Sequence, residues 1–196
     1  MRRRRIVTCC RAFFVKQQHA IQGDRILFRE LHPDEVGETY CSWMNDPEVV
    51  QYLECRWTEY TVEDLKDWVS FVLADPDSIL FSIRLKTSDQ HIGNMKIGPV
   101  NRRHGFASLG LIIGEKKCWG QGYGQETINL ACRYGFENMQ LHKLNAGCYE
   151  TNTASKKAFL DCGFSLEGAN RNQYLFEDRY IDALLFGRIN TETGSS

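Results

Sequence analysis

Gly120, Gly122 and Gly124 stand at alternate positions between an apolar run, Leu109 to Gly114, and a stretch in which Ile128, Ala131, Cys132, Gly135 and Met139 recur at helical spacing. The first run reads as a buried strand and the second as an amphipathic helix, so the glycines occupy a strand-to-helix junction. Such a junction offers amide N–H groups without partners, the positive end of a helix dipole, and no Cβ to hold an anion at a distance. It suits the holding of a phosphate. Two familiar phosphate loops do not fit. A Walker loop ends in Gly-Lys followed by Ser or Thr, whereas Gly124 precedes Gln125 and Glu126, which argues against nucleoside triphosphate cleavage; a dinucleotide fingerprint needs glycine at the sixth place from Gly120, which is Gln125. By spacing alone, a glycine-rich turn without a ligand fits as well.

The residues downstream decide between them. A strand reads from Lys143 to Tyr149, followed by Asn152-Thr153-Ala154-Ser155 and a helix through Phe159 that closes in Cys162-Gly163-Phe164. Taken in order, the apolar strand, the glycine loop, a helix, a strand, N-x-x-S and a helix ending in Gly-Phe resemble the GNAT acyltransferases. Within them the spacing is similar to the branch of the ribosomal-protein and spermidine N-acetyltransferases. The resemblance runs from Ile26 to Asn190. Trp119 stands where the general family pattern has Gln or Arg, and an aromatic residue there is usual for this branch.

The resemblance implies acetyl-CoA as co-substrate and no metal. It implies that the strands at 109–114 and 143–149 splay apart, with the pantetheine arm between them. Backbone groups of Leu111, Ile112 and Ile113 would then pair with the pantetheine amides. Amides of Trp119, Gly120, Gln121, Gly122, Tyr123 and Gly124 would hold the pyrophosphate, and Asn152 would fix the arm from the other side; as a plain helix N-cap, Asn152 would need no ligand.

Acyl transfer to an amine requires a neutral amine, a polarised thioester carbonyl and a proton for the leaving thiolate. In many GNAT enzymes a tyrosine seven residues after the asparagine gives that proton, and here the position is Phe159. The branch resemblance moves the duty to Ser155, which is otherwise an ordinary first-turn residue. Ser108 stands where several relatives carry a glutamate base, which leaves His104, Glu115, Tyr149 and Glu150 as candidates. At pH 7 a lysine-like amine is neutral in about one molecule in two thousand and an α-amine in roughly one in seven, so a chain without a strong base fits a weakly basic amine better than a polyamine.

Acceptor recognition is expected from 52–60 and 94–101, where Glu54, Arg56, Trp57, Asn94, Lys96 and His104 mix charge with aromatic surface. That mixture suits an amino sugar or sugar nucleotide first, and a protein N-terminus second. A third reading is an acyl-CoA-binding module without turnover, kept open by the missing tyrosine and glutamate.

At 196 residues and 42% hydrophobic, with a net charge of -1, the chain is one domain's worth and gives no electrostatic case for a nucleic-acid partner. Its eight cysteines never form C-x-x-C, which argues for reduced, packed thiols in a cytoplasmic protein and against zinc. Arg2 to Arg5 begin a basic leader, residues 1–24, expected to be frayed, since Arg11 cuts its apolar stretch too short for a signal peptide. No run is long enough to span a bilayer. Residues 191–196 read as a disordered tail, and the resemblance leaves room for a homodimer.

The elements that must position the loop are a strand at 25–31, a helix from Pro33 that stops before Asp46-Pro47, and a second helix after Thr61 with a capping box to Asp64. A hairpin follows at 79–86 and 91–100, then a third strand at 105–114, and closing strands at 174–176 and 181–189. The fold class is α/β (α+β): a GNAT-type mixed, mainly antiparallel sheet with helices on both faces and a splayed central strand pair, over 25–190.

Overall fold

A computed structural model describes residues 20–191; the leader's arginines, with Cys9 and Cys10, and the tail beyond Thr191 lie outside them. Eight strands form one sheet: β1 (Ile21–Gln22), β2 (Ile26–Glu30), β3 (Ile79–Leu85), β4 (His91–Ile97), β5 (Phe106–Ile113), β6 (Lys143–Tyr149), β7 (Ser165–Phe176) and β8 (Arg179–Ile189). Their spatial order is β1-β2-β3-β4-β5-β6-β8-β7, and every neighbouring pair is antiparallel except β5 with β6. The α-helices are α1 (Glu38–Met44), α2 (Pro47–Val50), α3 (Val62–Ala74), α4 (Tyr123–Arg133) and α5 (Thr153–Asp161).

Period-two alternation sorts the strand residues into two cores. Leu80 joins Trp43, Met44, Leu65 and Val69 beneath α1 and α3, while Phe81 and Ile83 join Met95, Ile128, Leu144, Phe159 and Phe186 beneath α4 and α5. Helices therefore cover both faces. The expected capping box holds the start of α3: Thr61 N donates to Asp64 Oδ2 at 2.8 Å, and Asp64 N donates back to Thr61 Oγ1 at 3.2 Å.

Four elements differ from the sequence expectation. Ile21–Gln22, assigned to the leader, pairs with β2 as β1. The helix expected from Pro33 is a single 3-10 turn, Pro33–Glu35, and α1 starts at Glu38 because Val36 is extended and Gly37 takes the N-cap position. Asp46-Pro47 both ends α1 and starts α2, with the Asp46 carboxylate accepting from Glu48 N at 3.0 Å. β7 begins at Ser165, nine residues before the expected 174, and its first half is largely exposed at the sheet edge, so it carries no alternation to read.

Among the described residues no helix is long and apolar enough to cross a membrane, and no group of His, Cys, Asp and Glu could hold a metal ion. The six described cysteines are free thiols.

Candidate active site

β5 and β6 pair only through Phe106↔Lys143, Ala107↔Leu144 and Ser108↔Asn145. Beyond that point β5 stays paired with β4 out to Ile113↔Gly93, and β6 stays paired with β8 out to Tyr149↔Ala183. The two strands thus diverge, leaving the facing edges of 109–113 and 146–149 without a ladder between them. Leu111, Ile112 and Ile113 lie on one lip of this opening and Tyr149 ends the other.

At the wide end of the opening sits the glycine loop. Gly114 is packed under the Trp43 indole with no room for a Cβ. A 3-10 turn, Lys116–Cys118, follows, and Trp119 turns back so that its Nε1 donates to Ile113 O at 2.7 Å. Gly120 has φ 71° and Gly122 φ 81°, values that only glycine adopts without strain, and Gly122 is the N-cap of α4. The first ladder bond of α4 runs from Glu126 N to Gly122 O, so the amides of Tyr123, Gly124 and Gln125 precede the ladder. A Cβ on Gly120 or Gly124 would meet open space. The loop thus offers donors, a helix N-terminus and clearance together, which is what a pyrophosphate requires.

Sequence reasoning missed the clamp that holds this loop. Arg25, just before β2, donates from Nε to Glu126 Oε2 at 2.8 Å and from Nη1 to Gln121 O at 2.9 Å, with its guanidinium 4.3 Å over the Tyr123 ring. Glu126 also accepts from Ile26 N at 3.1 Å. Burial opposes ionisation of Glu126, but these donors outweigh it and hold the carboxyl below its ordinary pKa. The partners are 101 residues apart, so no local pattern marks them. The available signal was a glutamate in the first turn of a helix that packs on the sheet.

Asn152 caps α5, its Oδ1 accepting from Ser155 N at 3.0 Å. Burial pushes the pKa of the Cys148 thiol on β6 up, and the Ser155 side chain beside it pulls it partly back, so Ser155 lies next to the strand that forms the second lip. Phe159 is buried between Phe164 and Phe186. Beside the opening, residues 110–112 border a cavity of about 330 Å³. Tyr40, Met44, Leu53, Leu65, Trp68 and Leu80 make it chiefly apolar, and Glu54, Asn94 and Lys96 are its polar edge. Glu54 lies on a 3-10 turn, Glu54–Trp57, between α2 and α3.

Tyr149 reaches this cavity's edge through its hydroxyl, which donates to Glu54 Oε1 and accepts from Arg56 Nη1 at 2.5 Å. Burial, with the Glu54 carboxylate, pushes the Tyr149 pKa up to about 12, so its proton stays on the hydroxyl. The phenol is fixed by stacking on Tyr174, with ring centroids 4.1 Å apart.

Several expected site residues have other duties. Arg56, expected among the residues that recognise the acceptor, is engaged in structure: Nη1 also donates to Leu53 O at 3.0 Å, Nη2 donates to Leu175 O at 2.9 Å, and its side chain is only 11% exposed. Glu115 caps the 3-10 turn by accepting from Lys117 N and also accepts from Gln90 Nε2, at 3.2 and 3.3 Å. His104 is exposed in the turn before β5, stacked on Phe106, at the opposite end of that strand from Gly114. Glu150 is exposed beyond β6, and Ser108 lies where β5 and β6 are still paired. Trp57 lines a separate cavity of about 510 Å³, which Pro47, Val50 and Phe176 also border.

The family model for the Acetyltransferase (GNAT) domain matches residues 25–165. The chain belongs to the GNAT acetyltransferases. It is 25% identical over 173 residues to the uncharacterized N-acetyltransferase p20 of Bacillus licheniformis, covering 86% of this chain and 95% of that one. In fold it is similar to a GNAT-family acetyltransferase from Bacillus anthracis, with a TM-score of 0.74 and 22% identity over 87% of this chain and 98% of the other. It is also similar to the spermidine N-acetyltransferase of Vibrio cholerae in complex with CoA and spermine, with a TM-score of 0.75 and 21% identity over 84% and 95%. The strand divergence and the loop at its wide end are thus features of a GNAT acyltransferase, a family that uses acetyl-CoA.

Proposed function

We propose that this GNAT enzyme transfers the acetyl group of acetyl-CoA to a primary amine on a small molecule with an apolar body. The single observation that carries the reading is the 330 Å³ cavity bordered by residues 110–112, since an acceptor seated there lies beside the strand opening in which the pantetheine arm would run. Bound there, acetyl-CoA supplies an activated acetyl thioester. The residues of the glycine loop, Trp119 to Gly124, hold its pyrophosphate, the freed β5 edge at 111–113 pairs with the pantetheine amides, and Asn152 presents α5 to the arm.

Glu54 is the carboxylate that takes a proton from the attacking amine, and the Tyr149 hydroxyl holds it in place. Ser155, beside β6, hands its hydroxyl proton to the departing sulfur and regains one from solvent. Phe159 has no exchangeable proton and serves the core instead. A sugar-nucleotide acceptor is disfavoured because three of the five Arg56 donors already serve Leu53, Tyr149 and Leu175 and the side chain is only 11% exposed, which leaves little of it open to a phosphate. A cavity near the small end of ligand-pocket sizes, about 300 to 1,000 Å³, also favours a small amine over a protein N-terminus.

The test is thiol release from acetyl-CoA with the full chain against arylalkylamines, glucosamine, UDP-linked amino sugars, peptide N-termini and spermidine. An apolar amine should give the highest kcat/KM. A nucleotide sugar as best substrate would sink the acceptor assignment, and CoA binding without turnover of any amine would make the protein an acyl-CoA-binding module.

A further inference from the structure

Asn94, on β4, is 3% exposed and lines the acceptor cavity, yet its Nδ2 has no hydrogen-bond partner among the described residues. Its orientation follows from its neighbour. His91 Nε2 lies 2.9 Å from Gly93 O and 2.8 Å from Asn94 Oδ1. A carbonyl oxygen can only accept, so Nε2 carries the hydrogen and the Asn94 atom facing it must be oxygen. Burial lowers the His91 pKa, and the ring is wedged edge-on against Trp43 with centroids 4.9 Å apart. Asn94 therefore cannot flip without setting donor against donor, and its NH₂ group is left without an acceptor among the described residues. Tyr40 is close enough for Asn94 to favour its ionised form, but the contact falls outside hydrogen-bond geometry, and it is the geometry that decides whether Nδ2 is satisfied.

A buried donor without an acceptor is costly, and native interiors seldom keep one unless something arrives to pair with it. Apart from Glu54 and Lys96 at its edge the lining is chiefly apolar, so the arriving group needs an oxygen at Asn94, an amine toward Glu54 and hydrocarbon elsewhere. We propose that Asn94 Nδ2 donates to an oxygen of the acceptor, and that the acceptor class is an apolar monoamine bearing one carbonyl or hydroxyl group. This rests on the acetyltransferase reading of the cavity. A protonated polyamine has no acceptor to offer Nδ2 and would bring further positive charge into an apolar lining with Glu54 as its carboxylate. An amino sugar would bury more hydroxyls than Asn94 and Lys96 can satisfy.

Initial rates of thiol release would be measured with the full chain for 2-phenylethylamine, 2-amino-1-phenylethanol and phenylalaninamide, each divided by its free-base concentration, beside glucosamine and spermidine. The oxygen-bearing apolar amines should exceed 2-phenylethylamine in kcat/KM by about tenfold, the scale of one buried hydrogen bond, and should exceed spermidine by more. In Asn94→Asp, which keeps an oxygen toward His91 and loses the donor, the oxygen-bearing amines should lose about tenfold more than 2-phenylethylamine does. Should that variant fail to fold, the ratios in the parent protein decide. Equal rates for the matched amines in the parent, or spermidine as the best substrate, would overturn the proposal while leaving the acetyltransferase reading intact. An equal loss for every amine in Asn94→Asp would move Asn94 to the thioester or to the fold. No turnover with any amine would overturn both readings together.

Discussion

The two ends of the strand opening are built from different materials. The loop end is backbone: contiguous residues from Ile113 to Gly124 set amides and a helix N-terminus around clear space, and Gly120 and Gly122 hold φ values that a side chain would strain. The acceptor end is side chain: Tyr40 from α1, Glu54 from a 3-10 turn, Trp68 from α3, Asn94 and Lys96 from β4, with Tyr149 from β6 behind them. A backbone site fails when a Cβ or a twist is added. A side-chain site fails when one functional group is removed, and its selectivity changes before its scaffold does.

That contrast is broken most directly at Gly122. A Cβ there would face Arg25 Nη2 at 3.5 Å in a left-handed conformation, so Gly122→Val should distort the N-terminus of α4 and loosen its clamp together. Each charge-assisted hydrogen bond to pyrophosphate contributes about 1.5 to 3 kcal/mol, so losing two should raise the Kd for CoA by about a hundredfold or more. Calorimetry with CoA reads this, and an unchanged Kd would place the phosphate elsewhere.

At the other end, Glu54→Gln should leave CoA affinity alone and cut kcat/KM by about a hundredfold, the low end for a general base. The loss should shrink as pH rises toward the pKa of the acceptor amine, because the neutral amine then needs no proton acceptor before attack. A loss independent of pH would reduce Glu54 to a binding group. Tyr149→Phe should show the same pattern more weakly, since the tyrosine acts by holding the carboxylate.

Ser155→Ala sharpens the comparison where the two ends meet. The start of α5 carries the Asn152 cap, which uses the Ser155 amide and survives the change, so the fold should be unaffected. Without the hydroxyl, kcat should fall by about tenfold to a hundredfold, a weaker effect than at Glu54 because water can also protonate a thiolate. Stopped-flow measurement of thiol release would detect it, and a parental rate would return Ser155 to the role of a helix-start residue.

How much was legible follows the same division of materials. The loop, its flanking strand and helix, and the Thr61 box could be read because their signals are local: glycine spacing, apolar period and a polar residue three positions before its partner. Arg56 was chosen by type and neighbourhood, which cannot reveal that Leu53, Tyr149 and Leu175 accept from its guanidinium, the last from 119 residues away. Glu115 and His104 were drawn in by chemistry alone, and only the pairing of β5 shows that His104 lies at the wrong end of the strand. Asn94 was chosen for its type, but the open donor that gives it meaning depends on His91 and Gly93. β7 escaped because an exposed edge strand has no buried face to impose alternation.

The smallest expected effect concerns the clamp that joins β2 to the loop. Glu126→Gln would keep an oxygen for one of the backbone donors and turn an amide NH₂ toward Arg25, setting donor against donor. Charged hydrogen bonds of this kind contribute about 1.5 to 3 kcal/mol when buried, and the 49% exposure of the Arg25 side chain reduces that to about 1 to 2 kcal/mol. For a domain of this size the melting temperature should drop by roughly 2 to 8 °C near neutral pH. The folded carboxyl is held below its ordinary pKa, so its stabilising contribution is complete above that ordinary value and disappears as pH falls through the lowered one. Thermal melts from pH 7 down through the carboxylate range should therefore show parent and variant converging in acid. A gap that stays constant with pH would mean that Glu126 contributes by packing, and that the loop is held without its charge.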